Sequence, residues 1–298
     1  MREPEIHRGA PSHWTIGPDR LLALEPFAVM GIVNVTPDSF SDGGIAFDAD
    51  TAIAQAIRLA DEGASIVDVG GESTRPGASS VDAREQIRRT VPVIQGIRAQ
   101  SRVAISIDTT SAEVAFAAIE AGANIVNDVS AGEDPSMFRV CAERGCGIVL
   151  MHRLHAPSDD KYSDQYAHAP QYDDVVRAVG DALLARADMA MQAGMARDAI
   201  ALDPGLGFGK TVRQNYELVA RTSELASFGF PVVVGASRKS FIGAVTGQQC
   251  PADRVAGSLV VAVAAFGGGA RIIRAHDVSA HREALQVAEA VLKGGGIH

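Results

Sequence analysis

Short, continuous apolar runs recur along the chain at regular intervals, about eight in all. They lie at residues 28–35, 65–70, 103–107, 125–129, 147–151, 200–202, 231–234 and 271–274. Continuous rather than alternating apolar runs of this length are typical of strands that are covered on both faces, as in a parallel sheet. The pattern therefore predicts eight buried parallel strands.

Longer amphipathic or alanine-rich stretches separate these runs. They cover residues 51–62, 81–99, 111–121, 135–144, 172–193, 212–227, 251–266 and 279–293. Several carry helix-end signals, such as the possible cap Ser111 and the glycines that follow residues 62, 121 and 144. A strand followed by a helix, about eight times over with right-handed crossovers, predicts a (β/α)₈ TIM barrel. An open doubly wound sheet is the alternative, and the absence of a GxGxxG motif after the first strand counts against it.

We expect one domain, because α/β barrels of about 200–250 residues or more are routinely single domains. Residues 1–26 are expected to form an N-terminal extension with a hairpin or plug at the barrel floor. Residues 27–298 are expected to form the barrel itself. The longest irregular stretch, residues 152–171, follows the fifth strand and is long enough to be a functional loop.

Composition narrows the possible partners. A net charge of −9 argues against nucleic-acid binding through a basic face, although it allows a small anionic ligand. The N-terminus lacks the apolar core of a signal peptide, and no run of about 20 apolar residues predicts a membrane span. Three cysteines without CxxC spacing are expected to be free thiols. The expectation is a cytoplasmic protein without a membrane partner.

Polar residues stand at the C-terminal ends of nearly all the predicted strands. They are Asn34, Asp68, Glu72, Asp108, Asn127, Asp128, His152, Asp203, Ser237, Arg238, Lys239, Arg274 and His276. In a barrel these ends share one rim, which carries the active site. Each residue also has a purely structural explanation, such as a helix cap for Asp108 or a core position for His152. Together they favour a bound polar ligand, because converging buried polar groups need partners.

The residue types at this rim indicate the kind of ligand. Asp and Asn side chains on neighbouring strands suit the donors and acceptors of a planar heterocycle, such as a guanine or pterin edge. Lys239, Arg274 and His276 would supply positive charge and Asn34 an oxygen ligand, which suits a diphosphate with Mg²⁺. The glycine-rich run DPGLGFGK at 203–210 lets the backbone approach a flat ligand. The glycine-tipped loops at 34–44 and 70–78 are expected to be lids.

Seven motifs, in order along the chain, resemble those of the dihydropteroate synthase family. They are NVTPDSFSDG (34–43), STRPG (73–77), SIDT (106–109), NDVS (127–130), DPGLGFGK (203–210), SRKS (237–240) and RAHDV (274–278). The resemblance implies a transferase that joins 6-hydroxymethyl-7,8-dihydropterin diphosphate to p-aminobenzoate. The products of that reaction are 7,8-dihydropteroate and diphosphate.

The resemblance also implies roles for individual residues. The pterin would be bound by Asp108, Asn127, Met151, Asp203, Lys239 and Arg274. The diphosphate would be bound by Asn34, Arg274 and His276, with Asn34 also ligating Mg²⁺. The p-aminobenzoate would be bound by Thr74, Arg75, Pro76, Phe208 and Ser240, the last at a helix N-terminus. The catalytic set would be Asp42, Arg75 and Lys239, with Asp42 and Arg75 shielding the reacting methylene from water.

One segment departs from the family pattern. After Met151 and His152 the family often has a short glycine-containing turn, whereas this chain continues with an acidic, tyrosine-bearing stretch to Tyr172. The signature residues are untouched, so the departure concerns the shape of the rim. The resemblance further implies a homodimer that packs through helices of the outer ring.

Two other functions are compatible with a pterin-binding barrel. One is a methyltetrahydrofolate-dependent corrinoid methyltransferase domain, and the other is a non-catalytic pterin-binding paralogue. The STRPG and SRKS motifs favour the synthase over the methyltransferase, because they serve the second substrate. The presence of Asp42, Arg75 and Lys239 argues against a non-catalytic paralogue.

Overall fold

An antiparallel hairpin precedes the barrel, formed by β1 (His13–Gly17) and β2 (Arg20–Ala23). The computed structural model describes residues 10–36 and 49–294. Trp14, Ile16 and Leu24 are fully buried and pack with the apolar residues at the N-terminal ends of the barrel strands. This confirms the predicted hairpin at the barrel floor, while the boundary between residues 26 and 27 stays a prediction.

Eight parallel strands follow, and they form one sheet. They are β3 (Ala28–Asn34), β4 (Ile66–Gly70), β5 (Ala104–Asp108), β6 (Ile125–Asp128), β7 (Gly147–Met151), β8 (Ile200–Asp203), β9 (Val233–Val234) and β10 (Ile272–Ala275). The spatial order is β8-β7-β6-β5-β4-β3-β10-β9, with β8 and β9 at the seam. A bridge between Leu202 and Val232 joins that seam, where Leu202 N–H donates to Pro231 O at 2.8 Å. The predicted TIM barrel is therefore confirmed.

Helices surround the sheet. They are α1 (Ala49–Asp61), α2 (Ala83–Gln100), α3 (Ala112–Glu120), α4 (Met137–Arg144), α5 (Val175–Gln192), α6 (Val212–Ala220), α7 (Thr222–Ala226), α8 (Ser240–Thr246), α9 (Val255–Gly267) and α10 (Val278–Leu292). Within the described residues, no single helix is long and apolar enough to cross a membrane. Among the described residues, one pair of helical segments, α8 and residues 251–267, is long and apolar enough together, but the two segments meet at an angle of 80°.

Three predicted elements differ from the structure. The helix expected at 212–227 divides into α6 and α7 at Arg221, whose guanidinium pairs with Glu217 and Glu224 on either side. The strand expected at 231–234 is reduced to β9, because Pro231 has no N–H to give to a ladder and Val232 forms only an isolated bridge to Leu202. The helix expected at 251–266 begins as a 3₁₀ turn, Pro251–Arg254, before α9.

The barrel interior is apolar at its floor and polar at its upper rim. Met30, Ile66, Ile125 and Val149 are fully buried and belong to the same floor cluster as Trp14. A second, larger apolar cluster fills the space between the sheet and the helices. The closed floor leaves the C-terminal ends of the strands as the place where the inner surface becomes polar.

Candidate active site

A buried ion-pair cluster lies at the rim, centred on Arg274 of β10. Its Nε donates to Asp68 Oδ2 at 2.7 Å, and its Nη2 donates to Asp108 Oδ2 at 2.8 Å. Asn127 Nδ2 also donates to Asp68 Oδ2, at 3.1 Å. These four side chains come from β10, β4, β5 and β6, so the barrel itself fixes their positions. The structure thus brings three of the predicted pterin residues together and adds Asp68, to which no ligand role was given.

Two carboxylate oxygens of this cluster are buried without a hydrogen-bond partner among the described residues. They are Asp68 Oδ1 and Asp108 Oδ1. Burial, opposed by the Arg274 charge, raises the pKa of Asp108 to about 7. Buried acceptors without donors are costly, so the cluster is suited to a ligand that brings N–H groups.

Asp203 ends β8 and is 5% exposed. Its Oδ1 accepts a hydrogen bond from Gly205 N–H at 2.7 Å, and its Oδ2 has no hydrogen-bond partner among the described residues. Burial raises the pKa of the Asp203 carboxyl, while the charges of Lys239 and Arg274 act to lower it. One oxygen is therefore used to hold the loop and the other remains for a ligand donor.

Lys239 lies over an aromatic ring, and its charge interacts with the Asp203 carboxylate. Its Nζ is 4.1 Å from the centroid of the Phe208 ring, a cation–π distance. Burial lowers the pKa of Lys239 to about 8, against the opposing effect of the Asp203 carboxylate. Phe208 in turn forms a small apolar cluster with Val129 and Met151. Met151 and Phe208, predicted for different substrates, thus share one apolar wall beside the lysine.

The glycine-rich loop after β8 is held from beneath by Lys210, which is fully buried. Its Nζ donates to Phe208 O at 2.8 Å, Gly205 O at 3.0 Å and His152 O at 3.3 Å. A Cβ at Gly205, where φ is +66°, would stand 1.9 Å from His152 O, so only glycine fits. Burial lowers the pKa of Lys210 to about 7. Lys210 is the last residue of the DPGLGFGK motif, but no role was predicted for it. The neighbouring residues in the sequence do not indicate that its side chain is buried.

His276 lies beside Ser237, with 3.0 Å between His276 Nδ1 and Ser237 Oγ. Burial and the charges of Arg274 and Arg238 lower the pKa of His276 to about 3. Without a bound anion the ring is therefore neutral near pH 7, and its role in holding the diphosphate stays a prediction. It can still offer a hydrogen bond to an anion. Arg238 is occupied elsewhere, since its Nε donates to Asp277 Oδ2 at 3.0 Å.

The loop after β4 carries Thr74, Arg75 and Pro76, and the Arg75 side chain is exposed. Gly77 N–H donates to Pro157 O at 2.8 Å, so this loop rests on the segment after β7. Burial is the main cause of the lowered pKa of His276, and the Arg75 charge makes a smaller contribution to it. Asp42 lies outside the described residues.

Two further predicted residues frame the site. Asn34 ends β3 and is half-buried at the rim. Ser240 is the first residue of α8, a helix of seven residues, and its Oγ accepts a hydrogen bond from Ser163 N–H at 3.3 Å. Among the described residues, no group of three or more His, Cys, Asp or Glu side chains could hold a metal ion.

The chain is similar in sequence to known enzymes. A family model described as "Pterin binding enzyme" matches residues 30–276. The dihydropteroate synthase of Escherichia coli K12 is 43% identical over 264 residues, which cover 89% of this chain and 91% of that protein. A Haloferax volcanii protein, a probable bifunctional folylpolyglutamate synthase/dihydropteroate synthase, is 45% identical over 94% of this chain but only 32% of its own length.

Solved structures give the same result. Xanthomonas albilineans dihydropteroate synthase with 4-aminobenzoic acid superimposes with a TM-score of 0.86 at 43% identity, covering 94% of this chain and 98% of that one. The same enzyme in complex with 7,8-dihydropteroate gives a TM-score of 0.82 at 40% identity, covering 93% and 98%.

Proposed function

Because the chain belongs to the dihydropteroate synthase family of pterin-binding enzymes, we propose that its rim binds a pterin diphosphate and p-aminobenzoate together and joins them into 7,8-dihydropteroate. The chain is therefore a transferase. One observation carries the proposal for the site: the Arg274 cluster and Asp203 present carboxylate oxygens that have no hydrogen-bond partner among the described residues, within the electrostatic influence of the Lys239 ammonium group.

The pterin edge fits these groups by hydrogen-bond type. Its amino-pyrimidine N–H groups would donate to Asp203 Oδ2, and its ring acceptors would face Lys239 Nζ and Asn127. The guanidinium of Arg274 is held flat by two carboxylates, which makes it a rigid surface against which a planar ring can stack. Met151 would pack against the ring from the apolar wall.

The diphosphate would lie towards Asn34, Arg274 and His276. An amide oxygen such as that of Asn34 is a hard ligand that suits Mg²⁺, an ion usually held by few protein oxygens together with substrate phosphates and water. When bound there, Mg²⁺ would stabilise the negative charge of the leaving diphosphate. Arg274 and His276 would hold the diphosphate oxygens by an ion pair and a hydrogen bond.

The second substrate would approach from the side of Phe208, Pro76 and Ser240. The Phe208 ring and Pro76 would clamp the aromatic ring, with Thr74 alongside, and the Ser240 hydroxyl would donate to the carboxylate. In the reaction the amine nitrogen bonds to the pterin methylene carbon, the bond from that carbon to diphosphate oxygen breaks, and the amine loses a proton. A good leaving group makes a protein nucleophile unnecessary, so catalysis rests on orientation and electrostatic stabilisation. Arg75 and Asp42 would keep water from the methylene.

Arg75→Ala is expected to slow turnover far more than it weakens pterin binding. Arg75 is exposed, and none of the described pterin-site residues bonds to it, so in this proposal it acts only when its loop closes over both substrates. We expect kcat to fall roughly a hundredfold while the dissociation constant of the pterin diphosphate changes less than about threefold. Calorimetry and steady-state kinetics measure the two, with Arg84→Ala, an exposed arginine of α2, as control. Equal losses in both would contradict the lid role.

Pterin-diphosphate binding is expected to weaken as pH rises through about 8. Lys239 has its pKa lowered to about 8, so it is charged below that pH and neutral above it. If only the charged form binds well, the apparent dissociation constant rises about tenfold between pH 7 and pH 9. Lys239→Arg keeps its charge throughout, so the part of this rise that is due to Lys239 should be absent from the variant. A wild-type affinity that is flat with pH would remove Lys239 from the pterin contact.

The experiment that tests the function is diphosphate release. Purified protein is mixed with Mg²⁺, 6-hydroxymethyl-7,8-dihydropterin diphosphate and p-aminobenzoate, and each component is omitted in turn. Release that needs all of them, with dihydropteroate formed in step, supports the synthase. Pterin binding without p-aminobenzoate-dependent turnover would favour the non-catalytic binder, and methyl transfer from methyltetrahydrofolate to a corrinoid would favour the methyltransferase.

We also propose that the protein is a cytoplasmic homodimer. Val260 of α9 and Val287 and Val291 of α10 are each more than half exposed, and such valines are suited to packing between outer-ring helices. Light scattering would give twice the mass of the chain, and cell fractionation would place the activity with the cytosol. A monomer mass or a membrane-bound activity would contradict these assignments.

A further inference from the structure

The segment between β7 and α5, residues 152–174, touches each of the three elements to which p-aminobenzoate binding is assigned. Pro157 O accepts from Gly77 N–H of the Arg75 loop at 2.8 Å. Asp160 Oδ2 accepts from Gly209 N–H, next to Phe208, at 3.0 Å. Ser163 N–H donates to Ser240 Oγ at 3.3 Å. We refer to these residues as the β7–α5 connection.

Asp160 is the centre of the connection and is 2% exposed. Besides Gly209 N–H it accepts hydrogen bonds from Lys161 N–H at 2.8 Å and from the Tyr166 hydroxyl. Burial and the Asp160 carboxylate raise the pKa of Tyr166, so that hydroxyl stays protonated and donating. A buried carboxylate with three donors is a rigid joint between the connection and the glycine-rich loop.

Gly209 is held on both of its backbone groups. Asp160 accepts from its N–H, and the Tyr172 hydroxyl donates to its carbonyl oxygen at 3.1 Å. The residue before it is Phe208, whose ring faces Lys239. The connection therefore sets the position of Phe208, to which the family resemblance assigns a contact with the second substrate.

Ser163 ties Ser240 to the same loop. Its N–H donates to Ser240 Oγ, and its own Oγ accepts from Asn215 Nδ2 at 3.0 Å. Asn215 is fully buried and its Oδ1 accepts from Gly207 N–H at 2.7 Å. Because Ser240 Oγ already accepts one hydrogen bond, its hydroxyl proton is free to point elsewhere, as a donor to a carboxylate.

We propose that the β7–α5 connection is the specificity-determining wall of the subsite for the second substrate, a planar aromatic amine with a carboxylate at its far end. Asp160 and Ser163 are its positioning residues. They fix the separation between the Phe208 ring and the Ser240 hydroxyl, and so the length of aromatic acid that is accepted. This inference rests on the proposed function and concerns the segment in which the chain departs from its family's pattern.

Asp160→Asn tests the wall. The amide keeps one acceptor but turns an NH₂ group towards a backbone N–H that donated to the carboxylate, so the joint is broken. We expect the KM for p-aminobenzoate to rise about tenfold, with the dissociation constant of the pterin diphosphate within about twofold of wild type. Asp159→Asn, the exposed neighbour on the same segment, is the matched control and should change neither quantity.

Tyr172→Phe is the milder second variant, in case Asp160→Asn does not fold. It keeps the ring and removes only the hydroxyl that donates to Gly209 O, so the KM for p-aminobenzoate should rise about threefold. An unchanged KM in both variants would overturn the inference. So would an equal weakening of pterin binding, which would indicate general loosening of the rim. A wild-type protein without p-aminobenzoate-dependent diphosphate release would instead overturn the proposed function itself.

Discussion

Asp203→Asn weakens binding of the pterin diphosphate by at least about a hundredfold, which corresponds to roughly 3 kcal/mol. The reason lies in how its two oxygens are used. Oδ1 accepts from Gly205 N–H at 2.7 Å, which leaves Oδ2 for the pterin donors. In the variant the amide oxygen must stay with Gly205, so the NH₂ group faces the N–H groups of the ligand. An acceptor is lost and two donors are set against each other in a buried site.

Isothermal calorimetry with the pterin diphosphate measures this loss. Asp188→Asn, an exposed aspartate of α5, makes the same chemical change away from the rim and serves as the control. The thermal unfolding of both variants should be recorded, because the Gly205 hydrogen bond is expected to survive in Asp203→Asn. Unchanged affinity would remove Asp203 from the pterin site.

The barrel could be predicted from the sequence because each strand is buried on both faces and therefore reads as a continuous apolar run. β3 and β7 follow their runs closely. The seam at β9 could not be predicted, since its shortness depends on Pro231 and on a single bridge to Leu202. The break between α6 and α7 was also not predicted, because the contacts made there involve a distant part of the chain. It lies at Arg221, which also pairs with Asp174, a residue far away in the chain.

The rim was predictable for a topological reason. Every residue that directly follows a parallel strand of a barrel reaches the same end, so the order of the chain is enough to group Asp108, Asn127 and Asp203. Which of these side chains pair with one another across the rim could not be predicted. The ion pairs of Arg274 join it to residues 206 and 166 positions away, and no local pattern indicates which carboxylates it meets. Asp68 was marked at the rim, but its role in holding Arg274 appears only in three dimensions.

The burial of individual charged side chains could not be predicted from the sequence either. Lys210 follows three glycines and reads as a surface lysine, yet it is fully buried and bonds to three backbone oxygens. Asp160 lies in an acidic, polar stretch and reads as solvated, yet it is 2% exposed. In each case at least one partner is a backbone group of another loop: His152 O for Lys210 and Gly209 N–H for Asp160. Backbone N–H and C=O groups are the same for nearly every residue type, so neither the composition nor the spacing of the sequence indicates where they will bind a side chain.

Arg274→Met is expected to destabilise the fold as well as abolish pterin binding. Asp68 and Asp108 are 0% and 6% exposed, and Arg274 is the cation that bonds to both. Removing one partner of a buried ion pair leaves uncompensated charge and costs about 3–5 kcal/mol of unfolding free energy. Methionine fills much of the same volume, so the loss is mainly electrostatic.

The pH dependence of the lost unfolding free energy shows whether Arg274 stabilises the fold by its charge or by its packing. Burial already raises the pKa of Asp108 to about 7, and removal of Arg274 raises it further. A carboxyl with a raised pKa binds its proton more tightly in the folded than in the unfolded state. Stability therefore falls as pH rises from about 4 towards the folded pKa. Urea unfolding should show a larger deficit for the variant at pH 8 than at pH 5.5.

The double variant Arg274→Met/Asp108→Asn completes the test. Replacing one carboxylate by an amide removes most of the charge repulsion, so we expect about 1–2 kcal/mol of the lost stability to return at pH 8 and little at pH 5.5. Pterin-diphosphate binding should not return, because the stacking surface and the diphosphate contact are both absent. If the single variant loses the same free energy at the two pH values and the second substitution restores none of it, Arg274 stabilises the barrel by packing. In that case the barrel would tolerate the buried carboxylates of Asp68 and Asp108 without the Arg274 charge.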